Sequence, residues 1–149
     1  DYSPRQVRVA NCLRIRTQIH NCRFRLGNAM NLPFEDACFD IVVSVGSIKH
    51  WPDGKRGLQE IHRVLIPDGA AFIAEADRNA PPQEIHRFAS RFTAWYVWNP
   101  FMRWCLRRVV FGQSYSRREA EWMAKAARFA TVSIEKVSGW PFFLMKLQK

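Results

Sequence analysis

Apolar residues recur with two periods along the chain. Val7, Ala10 and Leu13 keep helical spacing behind Ser3-Pro4-Arg5-Gln6. Ser3 suits a helix cap, Pro4 the first helical position and Gln6 the third position of a capping box, so a helix is expected to about Arg16. Between Cys22 and Leu26, Phe24 and Leu26 alternate with Arg23 and Arg25, the period of a strand, and Gly27-Asn28-Ala29 breaks it. Phe39 to Val45 carries Ile41-Val42-Val43 and is nearly all apolar, as a strand buried on both faces would be. Asp53 can cap a helix with Leu58, Ile61 and Leu65 on one face, Pro67-Asp68-Gly69 ends it, and Ala70 to Ala74 reads as a second buried strand.

Pro81-Pro82 opens a different pattern. From Glu84 onward Ile85, Phe88, Ala89, Phe92, Trp95 and Tyr96 share a helical face beside Arg87 and Arg91. Asn99-Pro100 interrupts it, because proline cannot donate its backbone bond and disfavours helix at the residue before it. A second helix is expected beyond, with Phe101, Met102, Cys105, Leu106 and Val109 on one side. Trp104 and Phe111 fall on the other, among Arg103, Arg107 and Arg108. Ser116-Arg117-Arg118-Glu119 is a further capping box opening a helix to about Arg128. Thr131 to Val137 and Phe142 to Leu147 form a strand pair.

Strands alternating with helices predict an α/β, Rossmann-like architecture: a mostly parallel sheet with helices on both faces and a C-terminal antiparallel hairpin. Ligands of such sheets bind beyond the carboxyl ends of the strands. Chemistry is therefore sought at Asn28-Ala29-Met30, at Ser44 to His50, and at Glu75-Ala76-Asp77.

Composition narrows this further. A chain of 149 residues fits a single domain, 1–149, with a helical lid-like insertion at about 78–113. The 48% hydrophobic content is too high for a disordered tail, and no run approaches 18 apolar residues. Four Cys without a Cys-x-x-Cys pair, and four His with no two at i, i+4, leave no zinc pattern and suggest reduced thiols in a cytoplasmic protein. The net charge of +10 is concentrated late: residues 86–118 hold seven Arg and no acid, interleaved with aromatics. Such a segment suits phosphate, an anionic membrane surface or an acidic substrate, and equally a solvated helix rim.

Gly27-Asn28-Ala29-Met30-Asn31-Leu32-Pro33-Phe34-Glu35-Asp36 followed by Phe39-Asp40-Ile41-Val42-Val43-Ser44 resembles the middle of class I S-adenosylmethionine-dependent methyltransferases, type 11 above all. Leu58-Gln59-Glu60-Ile61-His62-Arg63-Val64-Leu65-Ile66-Pro67-Asp68-Gly69 is similar to that family's Leu-x-Glu-x-x-Arg-Val-Leu-Lys-Pro-Gly-Gly helix and turn. The order and spacing also agree. Asp68 departs from the family pattern, and the family's glycine-rich first motif, with its strand and helix, is not in the sequence. The resemblance therefore implies a fragment of such a domain, with the isolated chain expected to be inactive.

By the same resemblance the cofactor is S-adenosylmethionine. Asp1 would accept from both ribose hydroxyls, a task a carboxylate can perform, and Tyr2 would flank the adenine. Asn28 would receive the adenine amino group, Ala29 would offer its backbone N–H, and Met30 would form an apolar wall. Ser44 and Val45 would lie beside the methionine portion. For a hydroxyl acceptor a base helps; His50 is the candidate, packing against Trp51 is its structural alternative, and Glu75 and Asp77 come next. The acceptor expected is a small molecule or lipid-like compound, reached in the cytoplasm with possible peripheral contact to an anionic membrane. A nucleic-acid methyltransferase and a non-catalytic binding subunit are the competing readings.

Overall fold

The computed structural model describes residues 1–91 and 99–149, apart from the side chains of Met102, Arg103, Leu106 and Val110. The expected apolar positions Phe92, Trp95, Tyr96, Met102 and Leu106, and the outward Arg103, lie outside the described residues. The elements are α1 (Pro4–Arg16), β1 (Phe39–Val45), a 3-10 turn (Ile48–His50), α2 (Gly54–Val64) and β2 (Leu65–Ala76). They continue with α3 (Pro82–Ala89), α4 (Pro100–Cys105) running into a π-helical turn (Leu106–Phe111), α5 (Arg117–Ala126), β3 (Thr131–Lys136) and β4 (Phe142–Gln148).

The strand order is β1-β2-β4-β3. β1 and β2 are parallel, while β4 runs antiparallel to both β2 and β3. The α/β class, the parallel pair and the terminal hairpin are as expected. On one face Ala71, Ile73, Phe143, Met145 and Leu147 meet Leu58 and Ile61 of α2 and Ala120, Met123 and Ala124 of α5. These small and branched side chains let both helices lie close to the sheet. On the other face, at the carboxyl end of β2, Ala76 packs with Ile85, Phe111, Phe88 and Phe142.

β1 is not buried on both faces. It lies at the sheet edge, and Ile41, Val43 and Val45 are 59%, 65% and 73% exposed. Val42, pointing the other way, packs against the core, as strand alternation requires. Cys22 to Leu26 does not form a strand either. Its neighbourhood is tied to the chain start by bonds from the Asp1 ammonium to the Arg25 carbonyl (3.1 Å), from Gly27 N–H to the Asp1 carbonyl (3.0 Å) and from the Asn11 side-chain amide to the Phe24 carbonyl (3.4 Å). β2 is longer than the expected Ala70–Ala74 and begins at Leu65, directly after α2. The register jumps between Phe39–Leu65 and Ile41–Ala70, and Asp68 takes up the bulge with φ of 63°.

Two caps behave as read and one differs. Ser116 and Glu119 form a reciprocal capping box, and Asp53 Oδ1 accepts from Arg56 N–H at 2.9 Å. Ser3 caps α1, but its own N–H donates to Asp1 Oδ1 (2.8 Å) rather than to Gln6. Phe111 also departs from expectation: it is 1% exposed instead of facing outward beside Trp104. In an α-helix residues seven apart share a face. The π turn, closed by Gly112 N–H on the Arg107 carbonyl (2.9 Å), is wider and carries Phe111 round to the core. The same rotation leaves Val109 49% exposed.

Candidate functional site

The residues singled out from the sequence fall into two groups. The first surrounds Asp1. A backbone bond from Gly27 N–H to the Asp1 carbonyl (3.0 Å) joins the chain start to the residue before Asn28 although the two positions are far apart in sequence. One Asp1 oxygen receives Ser3 N–H, and Oδ2 has no hydrogen bond among the described residues. Asn28 Oδ1 accepts from Met30 N–H at 3.0 Å, and the Asn28 carbonyl from Asn31 N–H at 3.0 Å, which closes a tight turn. Asn28, Ala29 and Met30 are half-buried, whereas Tyr2 is 79% exposed.

The second group follows β1 and β2. Ser44 is half-buried and Val45 exposed, and Gly46, with φ of 60°, donates to the Ala74 carbonyl at 2.8 Å. That bond turns the chain into the 3-10 segment, where Ile48 anchors in the core and Trp51 Nε1–H donates to Ser47 Oγ at 3.0 Å. His50 is exposed, and its ring has no hydrogen bond or ion pair among the described residues. Glu75 is 1% exposed: it accepts from Ala76 N–H (2.9 Å) and, at the 3.5 Å limit, from Lys49 N–H, with the Lys49 ammonium 3.9 Å away. Asp77, 3% exposed, accepts from Asn79 N–H and from Arg117 Nε–H at 3.1 Å. No hydrogen bond or ion pair among the described residues joins this group to the Asp1–Asn28 group.

Three residues of α2, given no role from the sequence, fix the segment after Asn28. Arg56 donates to the Met30 carbonyl (3.3 Å), and Glu60 accepts from Leu32 N–H (2.8 Å). Arg63 donates to the Leu32 and Phe34 carbonyls and to Asp36. The hydrogen bonds from Arg63 hold the Glu60 carboxyl below the usual carboxylate range, against its burial. The signal was legible: Glu60 and Arg63 stand at i, i+3 on one helix face, within the Leu-x-Glu-x-x-Arg run.

A cleft of about 1250 Å³ separates α1 from the start of β1, lined among others by Val7, Phe24, Phe34 and Phe39. It lies at the amino end of β1, away from Ser44 and Val45, and Asp1 and Gly27 are on its wall. The residues present fit the polar half of S-adenosylmethionine. Asp1 keeps an uncommitted carboxylate oxygen and the half-buried Asn28 an amide oxygen, and both groups accept from hydroxyl or amino donors.

The sheet order, with its parallel pair and reversed last strand, defines the class I methyltransferase fold. The chain superposes on a SAM-dependent methyltransferase from Aquifex aeolicus with a TM-score of 0.72 at 14% identity, covering 99% of this chain and 65% of that one. The PH0226 protein of Pyrococcus horikoshii gives 0.68 at 23% identity, covering 99% and 68%. Residues 1–73 match the family described as a methyltransferase domain, type 11. Over that stretch the chain is similar to the type 11 methyltransferase domains, a class whose cofactor is S-adenosylmethionine. It is 30% identical over 131 residues to a demethylmenaquinone methyltransferase of Listeria monocytogenes, covering 86% of this chain and 50% of that protein. It is 41% identical over 73 residues to the chloroplastic 2-methyl-6-phytyl-1,4-hydroquinone methyltransferase of Spinacia oleracea, covering 49% and 20%. The chain thus spans half or less of the length of these two curated relatives.

Proposed function

We propose that the protein transfers a methyl group from S-adenosylmethionine to a small, quinol-like acceptor. The observation that carries this reading is the likeness to the Listeria enzyme, which extends over 86% of the chain and so reaches past the segment that matches the family. The cofactor supplies an electrophilic methyl group on a sulfonium, with a neutral leaving group. What remains for the protein is to bind, align and exclude water. Asp1 Oδ2 holds the ribose hydroxyls, Asn28 Oδ1 receives the adenine amino group, and Ala29 N–H and the Met30 side chain complete that wall, with Tyr2 at its rim. Ser44 and Val45 border the methionine portion. His50, exposed and uncommitted, is the group best able to take a proton from an acceptor hydroxyl, since Glu75 and Asp77 are engaged by Lys49 and Arg117.

The test is transfer of labelled methyl from S-adenosylmethionine by the protein expressed from its own gene, offered demethylmenaquinol and total RNA in parallel. Label in the quinol, reduced by His50→Ala and by Asn28→Leu, is expected. Label in RNA alone would overturn the reading.

A further inference from the structure

We propose that the face of α4 and its π turn is a docking surface for an anionic phospholipid bilayer, from which an apolar acceptor would enter the site. Phe101 and Trp104, one turn apart, are 61% and 58% exposed and stack on each other with ring centroids 6.1 Å apart. Val109 is 49% exposed on the turn that follows. Exposed apolar side chains grouped in this way, unlike single ones, mark an interaction surface.

Charge selects what covers them. Arg107 and Arg108 are exposed beside Trp104 and have no ion pair among the described residues. The acids nearest in sequence are already engaged: Glu84 by Lys136, Glu119 by Arg78 and Ser116, and Asp77 by Arg117. The patch therefore presents cations and indole together with no compensating carboxylate. Tryptophan at the headgroup level, with arginine reaching the phosphates, is the arrangement an anionic interface favours.

Position supplies the functional link. The π turn packs through Phe111 on Ala76 and Phe142, at the carboxyl end of β2 where the ligand edge lies. Trp104 and Arg107 also stand between two cavities, of about 320 Å³ against Ala89 and Pro100, and about 400 Å³ against Arg78 and Phe111. Both are lined by Ile85 as well, so the space beside Trp104 is partly apolar. The docking itself does not depend on the identity of the acceptor; only its role in delivery rests on the quinol reading.

The experiment is co-sedimentation of the intact protein with phosphatidylcholine vesicles, with and without phosphatidylglycerol, alongside single-stranded RNA. Binding to the anionic vesicles is expected, weakening as salt rises. Removing one arginine near a charged surface corresponds to about fivefold. Arg107→Ala/Arg108→Ala should then weaken vesicle binding by roughly 25-fold, while the equal charge change Arg8→Ala/Arg16→Ala on α1 should change it less than about threefold. Trp104→Ala should lower binding about tenfold through lost apolar insertion, with Trp104→Phe restoring most of it. Arg107 and Arg108 are exposed and are not core residues, and the melting temperature of each variant separates a loss of charge from a disturbance of the cavities. Absence of vesicle binding, equal losses in the two double variants, or binding to RNA in preference to vesicles would each overturn the proposal. A quinol methyltransferase that ignores vesicles would leave the acceptor assignment standing and refute the docking surface alone.

Discussion

All five guanidinium N–H groups of Arg63 are hydrogen-bonded, and two of them grip Glu60 one turn earlier on the same helix. Nε–H donates to Glu60 Oε1 at 3.1 Å and Nη2–H to Oε2 at 2.8 Å. The remaining donors reach the Leu32 and Phe34 carbonyls and Asp36 Oδ1. Glu60 in turn accepts from Leu32 N–H. One i, i+3 pair therefore satisfies four polar groups belonging to a loop without regular structure, and this holds the segment after Asn28 against α2.

Truncating the acid should show this directly. Glu60→Ala leaves two arginine donors and the Leu32 N–H without a partner, which should cost about 2–3 kcal/mol, because Arg63 is partly solvated and keeps three bonds. Glu60→Gln retains an acceptor and should cost roughly half as much. Urea denaturation measures the difference, and amide exchange at Leu32 should quicken in both variants. An Ala variant as stable as the parent would mean that the loop is held by something else.

The same pair sets an acid limb of stability. Arg63 lowers the Glu60 carboxyl below its ordinary 4.5, and the Ser116 N–H lowers Glu119 in the same direction. A carboxylate with a depressed folded-state pKa binds fewer protons folded than unfolded, so stability rises with pH across that interval. The contribution is complete above the unfolded value and is lost as pH falls from 4.5 through the lower folded values. Midpoints of unfolding measured across this range should fall more steeply in the parent than in Glu60→Gln.

His62 acts at higher pH. Burial against the Phe129 ring (centroids 5.2 Å apart) and the positive charge of Lys149 push its imidazole below 6.5. Its folded form prefers to be neutral while the unfolded chain still takes up a proton near 6.5. Stability is therefore full above that value and declines as pH drops through 6.5 toward the folded value. An NMR titration of the His62 ring should give an inflection below 6.5, and His62→Gln should flatten this part of the profile. An inflection above 6.5 would contradict the packing argument.

What was legible in the sequence was local. The Ser116–Glu119 box and the Asp53 cap depend on residues three apart and formed as read. The core face of α2, through Leu58 and Ile61, followed from periodicity. Features set by distant neighbours were not legible. An apolar run such as Phe39 to Val45 reads the same in a central and an edge strand, so the exposure of Ile41, Val43 and Val45 needed the sheet order. Phe111 turned inward because the helix widens into a π turn, which periodicity at 3.6 residues cannot register. Within the candidate site the Glu60–Arg63 spacing stood in the sequence, whereas the loop groups that this pair holds lie 27 or more positions away and were not legible.

Gly57 offers a sharper packing test. A Cβ built there would run into the six-membered ring of Trp51. Gly57→Ala should gain about 1 kcal/mol in helix propensity, yet overpacking of this kind costs about 1–3 kcal/mol. The net should be destabilising because the indole cannot withdraw without breaking its 3.0 Å bond to Ser47 Oγ. Trp51→Phe, lacking that donor and the larger ring, should relieve part of the penalty in the double variant. A Gly57→Ala protein more stable than the parent would show that the indole moves freely.

Asn28 separates the turn from the cofactor. Its Oδ1 already accepts from Met30 N–H, so the amide has a structural task without any ligand. Asn28→Asp keeps that acceptor and adds charge toward an amino donor; turn stability should be unchanged and S-adenosylmethionine affinity equal or higher. Asn28→Leu removes both functions and should weaken the cofactor by about 1–3 kcal/mol, the cost of an unsatisfied partner. Thermal unfolding and calorimetry on the protein expressed from its own gene report the two effects independently. A Leu variant that melts earlier but binds S-adenosylmethionine as before would reduce Asn28 to a turn residue, and the adenine amino group would then have to be received by the backbone of the same turn.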